Sequence, residues 1–285
     1  MKILITIPHY YNFTNENHGS YGKNPEPRIR ALRACLFNLR SIFGASQYML
    51  NIIDKTAFRA NQNAEIDIII CTANQKHILE HLGVPKGFYS HHDSTLDNPK
   101  FLGFECQKVL TENLGKYDYY CFMEDDLLIN DSLFFEKISW FNQKTDYTNL
   151  IQPNRYEVSL RGKVLKSYVD GDINPRATVN HQNIKEFPHL NIKFLGKNIT
   201  LQRPLNPHSG CYFLTQKQME CWSNQPYFLD MDTSFISPLE SSASLGIMKT
   251  FKIYKPSPEN ANFLEIQHFG DSFLSLIGNQ IKIRN

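Results

Sequence analysis

The chain has 285 residues, a formal net charge of +2 from 30 Lys and Arg against 28 Asp and Glu, and 41% hydrophobic residues. This composition is that of a globular protein, and the near-neutral charge excludes strong overall attraction to nucleic acid. No run approaches the ~20 apolar residues of a membrane span, and the apolar start is too short for a signal sequence. Six cysteines form no Cys-x-x-Cys pair, which favours buried thiols in a reducing, cytoplasmic compartment.

The first half of the chain alternates short apolar runs with helical patterns, which predicts parallel strands joined by helices. We predict strands over Lys2–Pro8, Ile66–Cys71 and Tyr117–Met123, and helices with apolar spacing over Ile29–Phe43, over Phe101–Leu114 and from about Ser132. The expected fold is therefore α/β, with a mostly parallel central sheet flanked by helices.

The middle of the chain differs in charge. Between Pro153 and Arg203 there are nine Lys and Arg against four Asp and Glu, an excess of +5. Two runs around Arg161-Gly162-Lys163 predict a hairpin with arms Tyr156–Leu160 and Val164–Val169. We interpret residues 153–205 as an insertion or lid within one domain of residues 1–285. Regular structure is predicted to return with a strand over Cys211–Leu214, a helix over about Pro238–Leu245 and a strand over Phe251–Tyr254.

Three adjacent carboxylates, Glu124, Asp125 and Asp126, follow the third predicted strand. They repel one another, and an apolar strand supplies nothing that neutralises them. Ligands of open α/β sheets bind at the carboxyl ends of strands, so a hard divalent cation with a phosphate beyond it would explain these acids. In an extended chain, Glu124 and Asp126 point the same way and could share one metal. The alternative is a solvated acidic turn.

In an ordered set of features the sequence resembles the GT-A class of nucleotide-sugar glycosyltransferases. The matching features are a nucleotide-binding strand ending at Pro8 with Tyr10 and Asn12 after it, an Asp-x-Asp-like motif at Glu124–Asp126, a glycine-bearing loop with Gly210 in His208–Tyr212, a helix start with a carboxylate at Glu240, and a near-terminal histidine, His268. The resemblance covers about residues 1–140 and 208–271.

The resemblance implies a GT-A fold and transfer of a sugar from a nucleotide-diphosphate donor to a glycan, lipid or other hydroxyl acceptor. It implies that a divalent metal is held by Glu124, Asp126 and His268, and imidazole favours Mn²⁺ over Mg²⁺. The residues expected to bind the donor are Pro8, Tyr10, Asn12, Arg28, Asp125 and Gly210. Glu240 is the expected catalytic base and Asp232 its reserve, and the basic insertion would shape the site of an acceptor, which could be anionic.

Several of these residues have structural alternatives. Ser237 and Glu240 form a capping box, so Glu240 could bond back to the amide of Ser237 instead of acting as a base. Arg28 could belong to a solvated cationic face, although guanidinium also matches phosphate geometry. His268 could be an ordinary core or surface histidine. The segment His91-His92-Asp93 is expected to be a polar loop.

Two other functions stay open at this point. His77-Ile78-Leu79-Glu80-His81 is an H-x-x-E-H pattern, typical of inverted zincins, in which His77 and His81 would share a helical face and Glu80 would activate water in a zinc peptidase. The other open function is that of a non-catalytic binding protein with the transferase fold. Residues 272–285 mix apolar and basic side chains, so peripheral contact with the inner face of a membrane also stays open.

Overall fold

The structure is a computed structural model, and it describes residues 1–14, 20–60, 65–162 and 164–283. The strands are β1 (Lys2–Pro8), β2 (Tyr48–Asn51), β3 (Thr56–Arg59), β4 (Glu65–Ala73), β5 (Ser90–Ser94), β6 (Tyr119–Met123), β7 (Leu127–Leu128), β8 (Asn149–Ile151), β9 (Asn154–Val158), β10 (Lys166–Tyr168), β11 (His189–Phe194), β12 (Lys197–Gln202), β13 (Cys211–Thr215), β14 (Lys252–Pro256) and β15 (Glu265–His268). The α-helices are α1 (Glu26–Phe43), α2 (Leu102–Glu112), α3 (Phe134–Lys144), α4 (Gln216–Ser223), α5 (Pro238–Glu240) and α6 (Gly246–Thr250).

The chain divides into two compact units. The first contains residues 1–126 and 213–231, and the second contains residues 127–212 and 232–285. The predicted insertion, residues 153–205, lies inside the second unit and supplies strands β9 to β12. Its role as an insertion or lid of a single catalytic domain stays a prediction.

The first unit is built on a five-stranded sheet in the order β13-β6-β1-β4-β5. Strand β1 pairs in parallel with β4 and β6, and β4 pairs in parallel with β5. Ile3, Leu4, Ile5 and Ile7 of β1 are all buried, as expected of a strand covered on both faces. The α/β class and the parallel sheet predicted from the sequence are confirmed.

The second unit contains two four-stranded sheets, ordered β10-β9-β15-β7 and β11-β12-β14-β8. The predicted hairpin is confirmed, because β9 pairs antiparallel with β10. Strand β9 begins two residues before the first predicted arm, and β10 is shorter than the second. Strand β9 also runs parallel to β15, which places Arg155 beside Ile266 and Tyr156 beside Gln267. The basic middle of the chain is therefore joined to the strand that carries His268.

Two local predictions are wrong. His91-His92-Asp93 lies in β5, at the edge of the parallel sheet, and is not a loop. The H-x-x-E-H segment forms only a three-residue 3₁₀ turn, Leu79–His81, with His77 outside it. Because a 3₁₀ helix has three residues per turn, residues four apart do not share a face as they do in an α-helix. The helical face that an inverted zincin requires is absent from this described segment.

The helix predicted over Pro238–Leu245 is confirmed and runs on to Thr250. Its middle, Ser241–Leu245, is π-helical and entirely buried, and it connects α5 to α6. Within the described ranges, none of the helices combines the length and the apolar character that crossing a bilayer requires.

Candidate functional site

The three acids lie where β6 ends, in the first unit. Glu124 follows the last strand residue, and Asp125 and Asp126 form a turn. The chain is therefore not extended across these residues, so the alternation of side chains along a strand does not apply to Glu124 and Asp126. Glu124 and Asp125 are buried, whereas the side chain of Asp126 is 17% exposed.

Asp125 is the most enclosed of the three acids, and both of its carboxylate oxygens are engaged. Oδ2 lies 2.6 Å from Nδ1 of His9, and Oδ1 accepts a hydrogen bond from Nη2 of Arg28. Burial alone would raise the pKa of Asp125. The charge of Arg28 and the hydrogen bond from His9 outweigh burial and lower the pKa to about 2. Asp125 is therefore a buried, ionised carboxylate.

Arg28 links two of the acids. It lies in the first turn of α1, and its Nη1 donates to Oδ2 of Asp126 at 3.2 Å while Nη2 contacts Asp125. The charge of Asp125 raises the pKa of Arg28 against the effect of burial. The strand itself supplies no neutralising charge, as predicted, and a residue almost a hundred positions earlier in the chain supplies it instead.

Two nitrogen atoms of this group have no hydrogen-bond partner among the described residues. They are Nε of Arg28 and Nε2 of His9, and both atoms are buried. Buried polar atoms in folded proteins are nearly always hydrogen-bonded. Because Nδ1 of His9 faces the Asp125 carboxylate, Nε2 is the ring nitrogen that remains for another contact. Arg28 thus presents an N–H donor, and His9 its second ring nitrogen, for a further group.

The predicted nucleotide-binding segment lies at the same edge of the sheet. Pro8 ends β1, and the amide of the next residue, His9, donates to Cys71 at 2.8 Å. The ring of Tyr10 packs edge-on against Tyr21, and burial, followed by the charge of Tyr21, raises its pKa. Asn12 forms a β-bridge with Tyr21. Pro8, Tyr10, Asn12, Arg28 and the acids therefore belong to one end of the first unit.

His268 lies in the second unit and is oriented by a buried acid. Its Nδ1 is 2.7 Å from Oε1 of Glu157, a fully buried residue that also accepts the amide of Leu274 at 2.6 Å. Histidines that bind metal ions typically have their other ring nitrogen held by a carboxylate in this way. The contact leaves Nε2 of His268 as the ring nitrogen opposite the carboxylate.

The two candidate bases have different environments. Ser237 donates its hydroxyl to the Glu240 carboxylate, so Glu240 bonds to the side chain of Ser237 and not to its amide as the capping box predicts. Asp232 is paired with Nζ of Lys249 at 2.7 Å, and hydrogen bonding to Lys249 lowers its pKa to about 2. A carboxylate of such low pKa is a weak general base near neutral pH.

The glycine-bearing loop is tied to a buried ionic group in the second unit. Gly210 has φ +65°, a conformation that favours glycine. Before it, the carbonyl of His208 accepts Nζ of Lys255, and Lys255 and Arg155 both pair with Asp170 at about 3 Å. Burial lowers the pKa of His208 to about 3, so its ring is neutral.

The structure thus distributes the predicted site residues over both units. Pro8, Tyr10, Asn12, Arg28, Glu124, Asp125 and Asp126 belong to the first unit, and Gly210, Asp232, Glu240 and His268 to the second. Among the described residues, no group of three or more His, Cys, Asp and Glu side chains is arranged to hold a metal ion. The predicted metal ligands are thus not brought together as a set within either unit.

Two residues of these groups were not identified from the sequence. His9 directly follows a predicted strand, so the rule that sites form at carboxyl ends of strands could have identified it. Glu157 gives a weaker signal. It is an acid inside a β-strand, preceded by two buried residues, Arg155 and Tyr156.

No family model matches the sequence, and no curated protein matches it. Among solved structures, S. aureus TarS 1-349 in complex with UDP has a TM-score of 0.47 and 10% identity, over 95% of this chain and 61% of that one. S. aureus TarS has a TM-score of 0.46 and 10% identity over 95% and 37%, and TarS 1-349 has 0.44 and 12% over 96% and 62%. This chain therefore spans less than two thirds of each of these chains.

Proposed function

We propose that this protein is a glycosyltransferase of the GT-A class, which moves a sugar from a nucleotide-diphosphate donor to a hydroxyl acceptor. The observation that carries the proposal is the group at the carboxyl ends of β1 and β6. There, ionised Asp125 holds His9 and Arg28, and each of these has a buried nitrogen without a partner among the described residues. Ligands of open parallel sheets bind at this edge.

The donor's diphosphate would lie against Arg28. The guanidinium is fixed from one side by Asp125 and Asp126, which orients the remaining Nε–H. A charged donor of fixed direction suits a phosphate oxygen. Nε2 of His9 would hydrogen-bond to a hydroxyl of the donor, and Tyr10 with Asn12 would hold the base and ribose. Asp125 would contribute indirectly, by positioning His9 and Arg28.

A divalent cation at the acids is part of the proposal. Glu124 and Asp126 are hard oxygen donors of the kind that Mn²⁺ and Mg²⁺ accept, and Asp126 also accepts a hydrogen bond from Arg28 through Oδ2. In the second unit, Nε2 of His268, on the side away from Glu157, would be a metal ligand, and imidazole would favour Mn²⁺. When bound, such a cation neutralises the diphosphate leaving group.

The acceptor side would be formed by residues of the second unit. Glu240 would take the proton of the acceptor hydroxyl in an inverting reaction, and the low pKa of Asp232 makes it the weaker alternative. Gly210 has no Cβ, so the backbone there could approach the transferred sugar closely. The excess of Lys and Arg in residues 153–205 would favour an anionic glycan or lipid acceptor.

The test is a thermal-shift measurement of wild-type protein with UDP and GDP, each in Mn²⁺, Mg²⁺ or chelator. A ligand that binds the native state raises its apparent stability. We expect a shift with one nucleotide that Arg28→Gln and Asp126→Asn reduce. Asp97→Asn, which changes an exposed acid of the same unit, should leave it unchanged.

The outcomes separate the parts of the proposal. If the nucleotide raises the melting temperature equally in chelator and in Mn²⁺, the proposed metal is wrong and the proposed donor site stands. No shift with any nucleotide diphosphate, or one that Arg28→Gln leaves intact, would overturn the donor site itself. Nucleotide-sugar binding without turnover over a broad acceptor panel would favour the non-catalytic binding protein.

A further inference from the structure

A hairpin in the first unit exposes apolar side chains on both of its faces and at its tip. It consists of β2, β3 and the turn between them, and we call it the Tyr48–Arg59 hairpin. Among the described residues, β2 and β3 form a two-stranded sheet of their own. Six large apolar side chains in it are more than half exposed: Tyr48, Met49, Leu50, Ile52, Ile53 and Phe58. A two-stranded sheet without a covered face is marginally stable in water, so this hairpin is suited to an additional contact.

The tip of the hairpin has an unusual composition for an exposed turn. Ile52 and Ile53 are 83% and 92% exposed, whereas turns in water favour Gly, Asn, Asp and Pro. The polar residues of the turn bond to each other, with Asn51 Nδ2 donating to Asp54 Oδ2 at 2.7 Å and the Asp54 amide donating to Asn51 Oδ1 at 3.1 Å. The turn is thus closed by polar side chains while two isoleucines remain in solvent.

The strand register shows that both faces of the hairpin are apolar. Met49 lies opposite Phe58, and the neighbouring position pairs Leu50 with Ala57. Because side chains alternate along a strand, these two pairs lie on opposite faces. A sheet that packs on a protein partner typically has one apolar and one polar face. Apolar side chains on both faces and at the tip instead favour an apolar environment that surrounds the hairpin on all sides.

We propose that the tip of the Tyr48–Arg59 hairpin inserts into the surface of a phospholipid bilayer. Its charged residues agree with this occupant, because Lys55 and Arg59 are basic and the single acid, Asp54, is bonded within the turn. Lys and Arg side chains can bury their stems while their charges reach lipid phosphates. Tyr48, at the base of the hairpin, is of a type enriched at membrane interfaces. The proposal does not depend on the activity proposed above.

The experiment is vesicle flotation of the full chain with phosphatidylcholine vesicles and with vesicles that also contain phosphatidylglycerol. We expect Ile52→Asp with Ile53→Asp to lower partitioning about tenfold or more, since full burial of an aliphatic side chain is worth at least that factor. The matched control is Leu160→Asp with Leu195→Asp, which changes two highly exposed leucines of the second unit and should have no effect. Thermal unfolding checks that both variants fold.

A second double variant tests the two basic residues of the hairpin. Lys55→Gln with Arg59→Gln should weaken binding to the anionic vesicles more than to pure phosphatidylcholine. The proposal is overturned if wild-type protein binds neither vesicle, or if the isoleucine variant binds as well as the wild type. It is also overturned if sedimentation without lipid shows a dimer that the isoleucine variant abolishes, because the occupant is then a second copy of the chain.

Discussion

At the scale of single residues, Arg28 has the largest electrostatic role in the candidate site, because it contacts Asp125 and Asp126 from one position in α1. Arg28→Met would leave a buried carboxylate without its main counter-charge. We expect this variant to lose about 3–5 kcal/mol of unfolding free energy at pH 7, the range for breaking a buried ion pair. Urea unfolding measures the loss. Arg30→Met, at an exposed position two residues along the same helix, should cost no more than ~0.5 kcal/mol.

The pH dependence of that loss tests the cause. The pKa of Asp125 is about 2 in the folded protein, below its ordinary value of 3.8. Its stabilising contribution is therefore complete above the ordinary value and disappears as the pH falls through about 2. In Arg28→Met, burial should raise the pKa of Asp125, so this carboxyl group takes up its proton at a higher pH. The difference in stability between wild type and variant should therefore shrink as the pH is lowered, from the raised pKa of the variant down to about 2. A difference independent of pH would mean that lost packing, not charge, explains the loss.

Glu157 gives a second prediction at this scale. It is fully buried and accepts from His268 and from the amide of Leu274. Glu157→Gln keeps the shape but removes the charge that orients the His268 ring. If His268 binds Mn²⁺, we expect the affinity for Mn²⁺ to fall about 10–100-fold, as when other outer-shell partners of metal-binding histidines are changed. Electron paramagnetic resonance titration of Mn²⁺ measures this. Glu265→Gln, on the same strand as His268, is the control, and an equal fall in both variants would contradict the role of Glu157.

At the scale of elements, Asp170 joins two sheets of the second unit. Its carboxylate pairs with Arg155 of β9 and with Lys255 of β14, and the side chains of Asp170 and Lys255 are almost fully buried. Burial lowers the pKa of Lys255, and the two cations lower the pKa of Asp170 against the effect of burial. The link is therefore electrostatic and lies inside the unit, where water screens it little.

We expect Asp170→Asn to cost about 3–5 kcal/mol of unfolding free energy, because it leaves Lys255 buried without its carboxylate. Lys255→Met in the same chain should recover part of that loss. Chemical unfolding of the two single variants and the double variant gives the coupling between the residues. Additive effects in this cycle would show that Asp170 and Lys255 contribute independently to stability.

The elements also show what local sequence can and cannot predict. Strands β1 and β6 were predictable because burial on both faces makes them almost continuously apolar. Strand β4 was predictable from its run of isoleucines, although Asp67 within it is exposed. Strand β5 was not, because it is an edge strand whose Asp93 accepts from Thr72 and Gln75, and its residues are accordingly polar. Alternation also failed for the acids, since the chain turns at Asp125 and Asp126 directly after the strand.

At the scale of the whole molecule, the contacts that define the candidate site join distant parts of the chain. The acids could be predicted to need a positive partner, but not which one, because Arg28 and Asp125 are 97 positions apart. Glu157 and His268 are likewise 111 positions apart. No periodicity relates residues at such separations, since local patterns report only on neighbours within one element. The sequence therefore predicts candidate residues, and the fold determines their partners.

The six cysteines give a prediction for the whole chain. Cys221 is partly exposed, and the other five are buried. Burial raises the pKa of Cys35 and Cys106 well above the ordinary value, which suppresses the reactive thiolate. With Ellman's reagent at pH 8, one thiol should react in the native protein and five more only on unfolding. Cys221→Ser should remove the fast phase, and Cys211→Ser should keep it. Fast reaction of two or more thiols would contradict the burial of the other five cysteines, because a buried thiol reacts only when the unit around it opens.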